Sequence, residues 1–220
     1  MIVLGRRDLM GIRIAAIIIL VVMCSGQVAM AGGIEVPPNF YDWTGVYVGA
    51  NAGYGSGNIS DSINGSQAFS GAIAGGQIGA NLQYRNALFG VEISGDWSNQ
   101  QGSGSSLSAS MPWLATALIR VGYAYDNISY YATGGAGYAH FSSSAPTGLT
   151  SSSTRTAWVA GVGQESAINR NLLLRFEVLY LQLIGNAATS SGVTAVSSSQ
   201  SVYDIVFRVG LSYKFDWTRN

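Results

Sequence analysis

From Arg208 to Phe215 the chain alternates strictly: Val209, Leu211, Tyr213 and Phe215 fall on one parity, Arg208, Gly210, Ser212 and Lys214 on the other. A period of two marks a strand with one apolar and one polar face. The same two-faced pattern recurs eight times, and the connections between occurrences run long, short, long, short, long, short, long. A soluble barrel would turn the apolar face inward. Long segments at one end and tight turns at the other belong instead to a barrel that crosses a membrane.

The breaks place strands at 43–54, 70–84, 88–97, 111–125, 128–141, 155–168, 172–185 and 200–215. The expected fold is all-β, an eight-stranded antiparallel up-and-down transmembrane β-barrel. The long connections, 55–69, 98–110, 142–154 and 186–199, are rich in Ser, Gly, Asn and Thr and poor in charge. Such segments cannot bury enough apolar surface to pack, so they are expected to be mobile loops. The short ones, Arg85-Asn86-Ala87, Asp126-Asn127 and Asn169-Arg170-Asn171, carry Asn and Asp, which tolerate tight-turn backbone angles. Both chain ends then lie on the short-turn side.

Composition agrees. Only 10% of residues are charged and 29 are Gly, yet the one long apolar run, Ile14 to Met23, is about half the roughly 20 residues a membrane-spanning helix needs. That run follows Arg6, Arg7 and Arg13 and precedes Ala29-Met30-Ala31, a small-x-small site. Residues 1–31 therefore read as a cleaved secretory signal. Residues 32–42, with Pro37-Pro38, read as a periplasmic tether, 43–215 as the barrel and 216–220 as a tail. Arg6-Arg7 weakly resembles a twin-arginine signal, but the strongly apolar core favours the general secretory route. Cys24 opens a lipoprotein alternative, opposed by the bulky Met23 before it. Cleavage after Ala31 removes the only cysteine, three of the 11 basic residues and one of the 11 acidic ones, leaving 8 and 10 and a net charge of −2. Nothing in that balance suggests nucleic acid as a partner.

The charges choose the inner face. Glu92, Arg120, Glu165, Arg175, Glu177, Asp204 and Arg208 all fall on the parity opposite the apolar residues of their strands. A basic side chain at the lipid-facing midplane costs about 2–4 kcal/mol, so these seven are expected to form a polar network in the lumen. Aromatic residues supply an independent check. Tyr54, Trp97, Trp113, Tyr138, Trp158, Tyr180 and Tyr203 lie near the long connections, and Tyr84, Phe89, Tyr123, Tyr125, Tyr130, Tyr213 and Phe215 near the turns. All are on the lipid-facing parity, which gives two girdles at headgroup depth. A soluble sandwich with scattered core aromatics does not predict two bands on one face.

Three stretches carry a resemblance: Tyr41-Asp-Trp-Thr-Gly-Val-Tyr-Val-Gly49, Tyr131-Ala-Thr-Gly-Gly-Ala-Gly-Tyr138 and Val209-Gly-Leu-Ser-Tyr-Lys-Phe215. They look like the small outer-membrane β-barrel family, and more closely resemble the α-proteobacterial outer-membrane immunogenic protein or porin-family group, over essentially all of 41–215. The resemblance implies location in the bacterial outer membrane, contact with its lipid and lipopolysaccharide, and insertion by the barrel-assembly machinery. In such families the last strand is the insertion signal, and Arg208, Gly210, Tyr213 and Phe215 match each of its positions. The departure is the five-residue extension after Phe215, where the aromatic is normally terminal.

Eight strands enclose a space just wide enough for side chains to fill, whereas open porin channels need about 16–18. The lumen network is thus expected to be a plug. The chemical inventory is sparse: His140 is the only histidine, and no His/Cys cluster with metal-ligand spacing exists. No catalytic, metal or cofactor residue is assigned. Two functions remain, a structural surface protein displaying four extracellular loops to an unidentified ligand, and a narrow or oligomeric porin. A rim hydrolase using His140 beside Ser142, Ser143 and Ser144 is a weaker third.

Overall fold

A computed structural model describes residues 41–61, 65–103, 108–144, 150–184 and 201–215. Eight strands follow one another: β1 (Gly45–Asp61), β2 (Gly65–Tyr84), β3 (Ala87–Ser103), β4 (Ser108–Tyr125), β5 (Ile128–Ser144), β6 (Thr150–Ala167), β7 (Leu172–Ile184) and β8 (Ser201–Phe215). Each is antiparallel to its sequence neighbours, and β1 closes onto β8 from Val46↔Phe215 to Ser60↔Ser201. Closure leaves no sheet edge, which is the condition for strands in hydrocarbon. Phe40–Asn220 forms one compact unit. The predicted signal, most of the tether (32–40) and the tail (216–220) lie outside the described residues.

The strands run 13 to 20 residues, beyond the roughly 9–11 that a tilted strand needs to cross a bilayer. The surplus is at the long-connection end. There the pairing of β1 with β2 continues to Asp61↔Gly65, of β3 with β4 to Ser103↔Ser108 and of β5 with β6 to Ser144↔Thr150. Three expected loops are therefore corrected: most of 55–69, 98–110 and 142–154 is strand, leaving 62–64, 104–107 and 145–149 between strands. The physical reason is that a formed ladder extends readily through small Ser and Gly residues, while the polarity alternation that betrays a strand fades where both faces meet water. The fourth, 186–199, lies outside the described residues.

The turns are tight. Arg85 (φ 56°) and Asp126 (φ 49°) adopt left-handed backbone between β2 and β3 and between β4 and β5, as two-residue hairpins demand. At the third, the Asn169 side chain accepts hydrogen bonds from the amides of Asn171 (2.9 Å) and Leu172 (2.8 Å). β1 begins at Gly45, two residues later than expected, and Trp43 leaves the ladder to fill the barrel mouth. The wall of β1 is glycine-rich because space inside is short: a methyl at Gly53 would run into the carbonyl of Phe207.

Candidate functional site

The lumen is filled in layers. At the turn end Trp43, Leu88, Ala124, Ala167 and Leu173 pack into an apolar floor. Trp43 reaches it because the segment before β1 folds across the mouth. The Tyr41 hydroxyl donates to the Arg170 carbonyl (2.9 Å), the Trp43 amide donates to Gln83 Oε1 (2.8 Å), and Lys214 donates to the Asp42 carbonyl while lying 4.5 Å from the centre of the Tyr41 ring. This strap ties β1, β2, the β6–β7 turn and the end of β8 together.

Above the floor lies a charged layer. Strand alternation delivers Glu92 on β3, Arg120 on β4, Glu165 on β6, Arg175 and Glu177 on β7 and Arg208 on β8 to one level, each buried. Arg175 bridges two acids: Nη1 is 2.5 Å from Glu92 Oε2, and Nε donates to Glu165 Oε1 at 2.7 Å. Arg120 Nη2 lies 3.0 Å from Glu165 Oε1, and its Nη1 is 3.7 Å from Glu92 Oε2. Arg208 pairs with Glu177 and, through Nη1, with Asp96 Oδ2 at 3.0 Å. Each guanidinium contacts at least two carboxylates, the arrangement that offsets the cost of burying charge.

Two tyrosines complete this layer. Tyr47 Oη donates to Glu92 Oε2 (2.6 Å) and accepts from Arg120 Nη1 (2.7 Å). Tyr131 Oη donates to Glu177 Oε1 (3.1 Å), and the Arg120 guanidinium sits 3.7 Å from the Tyr131 ring centre, a desolvated cation–π contact. Sequence reasoning assigned neither to the network, because aromatic residues were read as lipid-facing. Their parity was the available signal: Tyr131 is out of phase with Tyr130, and Tyr47 with Val46 and Val48.

Asp204 is set apart. It is buried on β8 but accepts from the neutral Gln100 side chain (3.0 Å), and no arginine or lysine among the described residues reaches it. Besides buried Ser98 and Gln100, two apolar clusters fill the upper lumen around it. One cluster gathers Ile73, Leu114, Leu118, Leu179, Leu181 and Val206, and another, nearer the long connections, gathers Phe69, Ala157, Leu183 and Val202. These layers went unnoticed in the sequence because β7, Leu-Leu-Leu-Arg-Phe-Glu-Val-Leu-Tyr-Leu-Gln-Leu-Ile, is apolar on both faces and hides its period.

Outside, the aromatic parities come out as two belts. Tyr54, Trp97, Trp113, Tyr138 and Trp158 at one end, and Tyr84, Phe89, Tyr123, Tyr125, Tyr130, Tyr213 and Phe215 at the other, are exposed. Tyr180 is half-buried because it packs between Trp158 (5.3 Å) and Tyr203 (6.1 Å). Of the expected insertion-signal residues, Tyr213 and Phe215 face out and Arg208 and Gly210 face in. His140 stands on the outer face against Trp113, its Nδ1 sharing a 3.1 Å hydrogen bond with Thr154 Oγ1. The side chains of Ser142, Ser143 and Ser144 lie outside the described residues.

A closed eight-stranded barrel with its charges inside and aromatic belts outside is a small outer-membrane barrel. The chain belongs to the outer membrane protein beta-barrel domain family, whose model matches residues 16–215. It is 30% identical over 209 residues to the 31 kDa outer-membrane immunogenic protein of Brucella melitensis, covering 81% of this chain and 86% of that one. It is 33% identical over 183 residues to the 25 kDa outer-membrane immunogenic protein of the same organism, covering 83% of each. In fold it is similar to Neisserial surface protein A, with a TM-score of 0.50 and 18% identity over 78% of this chain and 98% of that one. The protein therefore resides in the bacterial outer membrane.

Proposed function

We propose that the protein is a structural and surface barrel of the envelope, which strengthens the outer membrane and presents the connections at its long-strand end to the outside. The observation that carries this reading is the filled lumen: an apolar floor, a layer of paired charges and two apolar clusters above it leave side chains where a conduit would run. Exposure to the outside is supported by the relatives' description as immunogenic proteins. The same reading takes residues 1–31 as the export signal, 32–42 as a periplasmic tether, and Arg208, Gly210, Tyr213 and Phe215 as the signal handed to the barrel-assembly machinery.

Planar-bilayer recordings of the refolded barrel test the plug. The expected result is no steady conductance in the wild type and in a variant lacking Tyr41 to Trp43 alike, since the charged layer lies behind the strap. Discrete, voltage-independent channel steps from the wild type would replace this function with the porin. Loss of the gene should sensitise cells to detergent, and restoration by the wild-type protein would tie that defect to the barrel.

A further inference from the structure

β3 is polar along most of its inner face. Glu92, Ser94, Asp96, Ser98 and Gln100 all turn into the lumen, each at most 3% exposed. Asn81 on β2, in register with Gly90, carries this stripe toward the turn end, and half-buried Gln83 brings it to the mouth. At the other end the Gln100 side chain donates to Asp204 on β8. Glycine on the neighbouring strands makes the room: Asp96 Oδ1 lies 2.3 Å from where a Cβ on Gly75 would stand, and Gln100 Nε2 lies 1.9 Å from where one on Gly55 would stand. Leu114, Leu118, Leu179 and Leu181 of the apolar cluster stand away on β4 and β7.

Along this stripe five oxygens accept no hydrogen bond from a described residue: Asn81 Oδ1, Glu92 Oε1, Asp96 Oδ1, Gln100 Oε1 and Asp204 Oδ1. All five are acceptors, and all are buried. Buried acceptors are almost always satisfied, by protein or by ordered water, so this side of the lumen calls for small donors. Successive inward positions on a strand are about 7 Å apart, a span that one water bridges. The protein adds links of its own. Ser94 Oγ lies 3.3 Å from Asp96 Oδ2 and 2.8 Å from Thr116 Oγ1, and Ser98 Oγ accepts from the Gln100 amide (3.1 Å).

We propose that the β2–β3 side of the lumen holds a file of water that passes protons, and no larger ion, through the plugged barrel. Each hop breaks one O–H bond and forms the next, so one proton leaves at the far mouth for each that enters. Asp204, Asp96 and Glu92 are the carboxylates that take up and hand on the proton. Their charge turns away anions, while Arg208 beside Asp96 and Arg175 beside Glu92 turn away metal cations. A hydrogen-bonded file needs no open conduit, so it is compatible with the filled lumen.

Purified, refolded full barrel in liposomes with an entrapped pH dye tests the file. With valinomycin and potassium balancing charge, an imposed pH step should collapse several-fold faster than in protein-free liposomes. Sodium and chloride fluxes should stay at the protein-free rate. Asn81→Leu and Ser98→Val should each remove most of the excess proton flux, and Asp204→Asn should lower it several-fold. Leu181→Met, on the apolar side, should keep all of it. Heat-dependent gel mobility verifies that each variant is folded, and Asp204→Asn, which keeps the side-chain shape, decides the matter if the two apolar replacements do not fold. Proton flux no faster than in protein-free liposomes, or unchanged in the folded stripe variants, would overturn the file and leave the plug standing. Sodium and chloride fluxes that rise with proton flux would overturn both.

Discussion

Arg175 is the hinge of the charged layer, since it alone lies within 2.7 Å of both Glu92 and Glu165. Replacing it by Met leaves Arg120 as the one cation among the described residues that reaches both buried acids. Barrel stability should fall by about 3–5 kcal/mol in urea unfolding from lipid vesicles. Adding Glu165→Gln should recover part of that loss, and strictly additive effects would deny the coupling. Asp204 predicts the opposite sign. Asp204→Asn keeps the shape and removes a buried carboxylate with no cationic partner among the described residues, so it should raise the unfolding midpoint by the equivalent of about 1 kcal/mol. At this scale the sequence told which residues turn inward, because parity is local. It did not tell who pairs with whom: Glu92 and Arg120 are the natural partners on adjacent strands, yet the nearer guanidinium comes from β7 across the lumen.

Among the elements, β8 was the most legible and β7 the least. β8 turns Asp204, Arg208, Ser212 and Lys214 inward against an apolar outer face, whereas β7 buries Leu173, Leu179, Leu181 and Leu183 inside while presenting apolar residues outside as well. Alternation cannot be seen where both faces are apolar. If β8 carries the insertion signal, Phe215→Ala should lower outer-membrane levels more than Trp217→Ala, and deleting residues 216–220 should leave assembly unchanged or improved. Quantitative blotting of membrane fractions checks this. Abolished insertion on deletion, with Phe215→Ala silent, would move the signal to Trp217. The strap before β1 was not legible in the sequence, because Tyr41 and Trp43 gain their partners only when the β6–β7 turn and the end of β8 are already nearby.

For the whole molecule, the surplus strand length beyond the bilayer lies at one end, and the two-residue turns lie at the other. Protease added to intact cells should therefore cut at 185–200, the longest connection between described strands, and spare Arg85-Asn86 and Asp126-Asn127. The same protease added to permeabilised cells should reach the turns. Cleavage at the turns of intact cells would invert the barrel.

The sequence by itself determined the number of strands, their alternating connections, the face each charge takes and the two aromatic belts. All of these follow from a period of two and from the cost of placing charge in hydrocarbon, which act residue by residue. Only the tertiary structure decided how far the strands rise beyond the membrane, which acid each arginine holds, that Tyr47 and Tyr131 serve the charged layer, and that Trp43 floors the lumen. Those outcomes depend on register and on closure of β1 against β8, which bring residues such as Tyr47 and Arg120 together across 73 positions of chain. No local pattern encodes that distance.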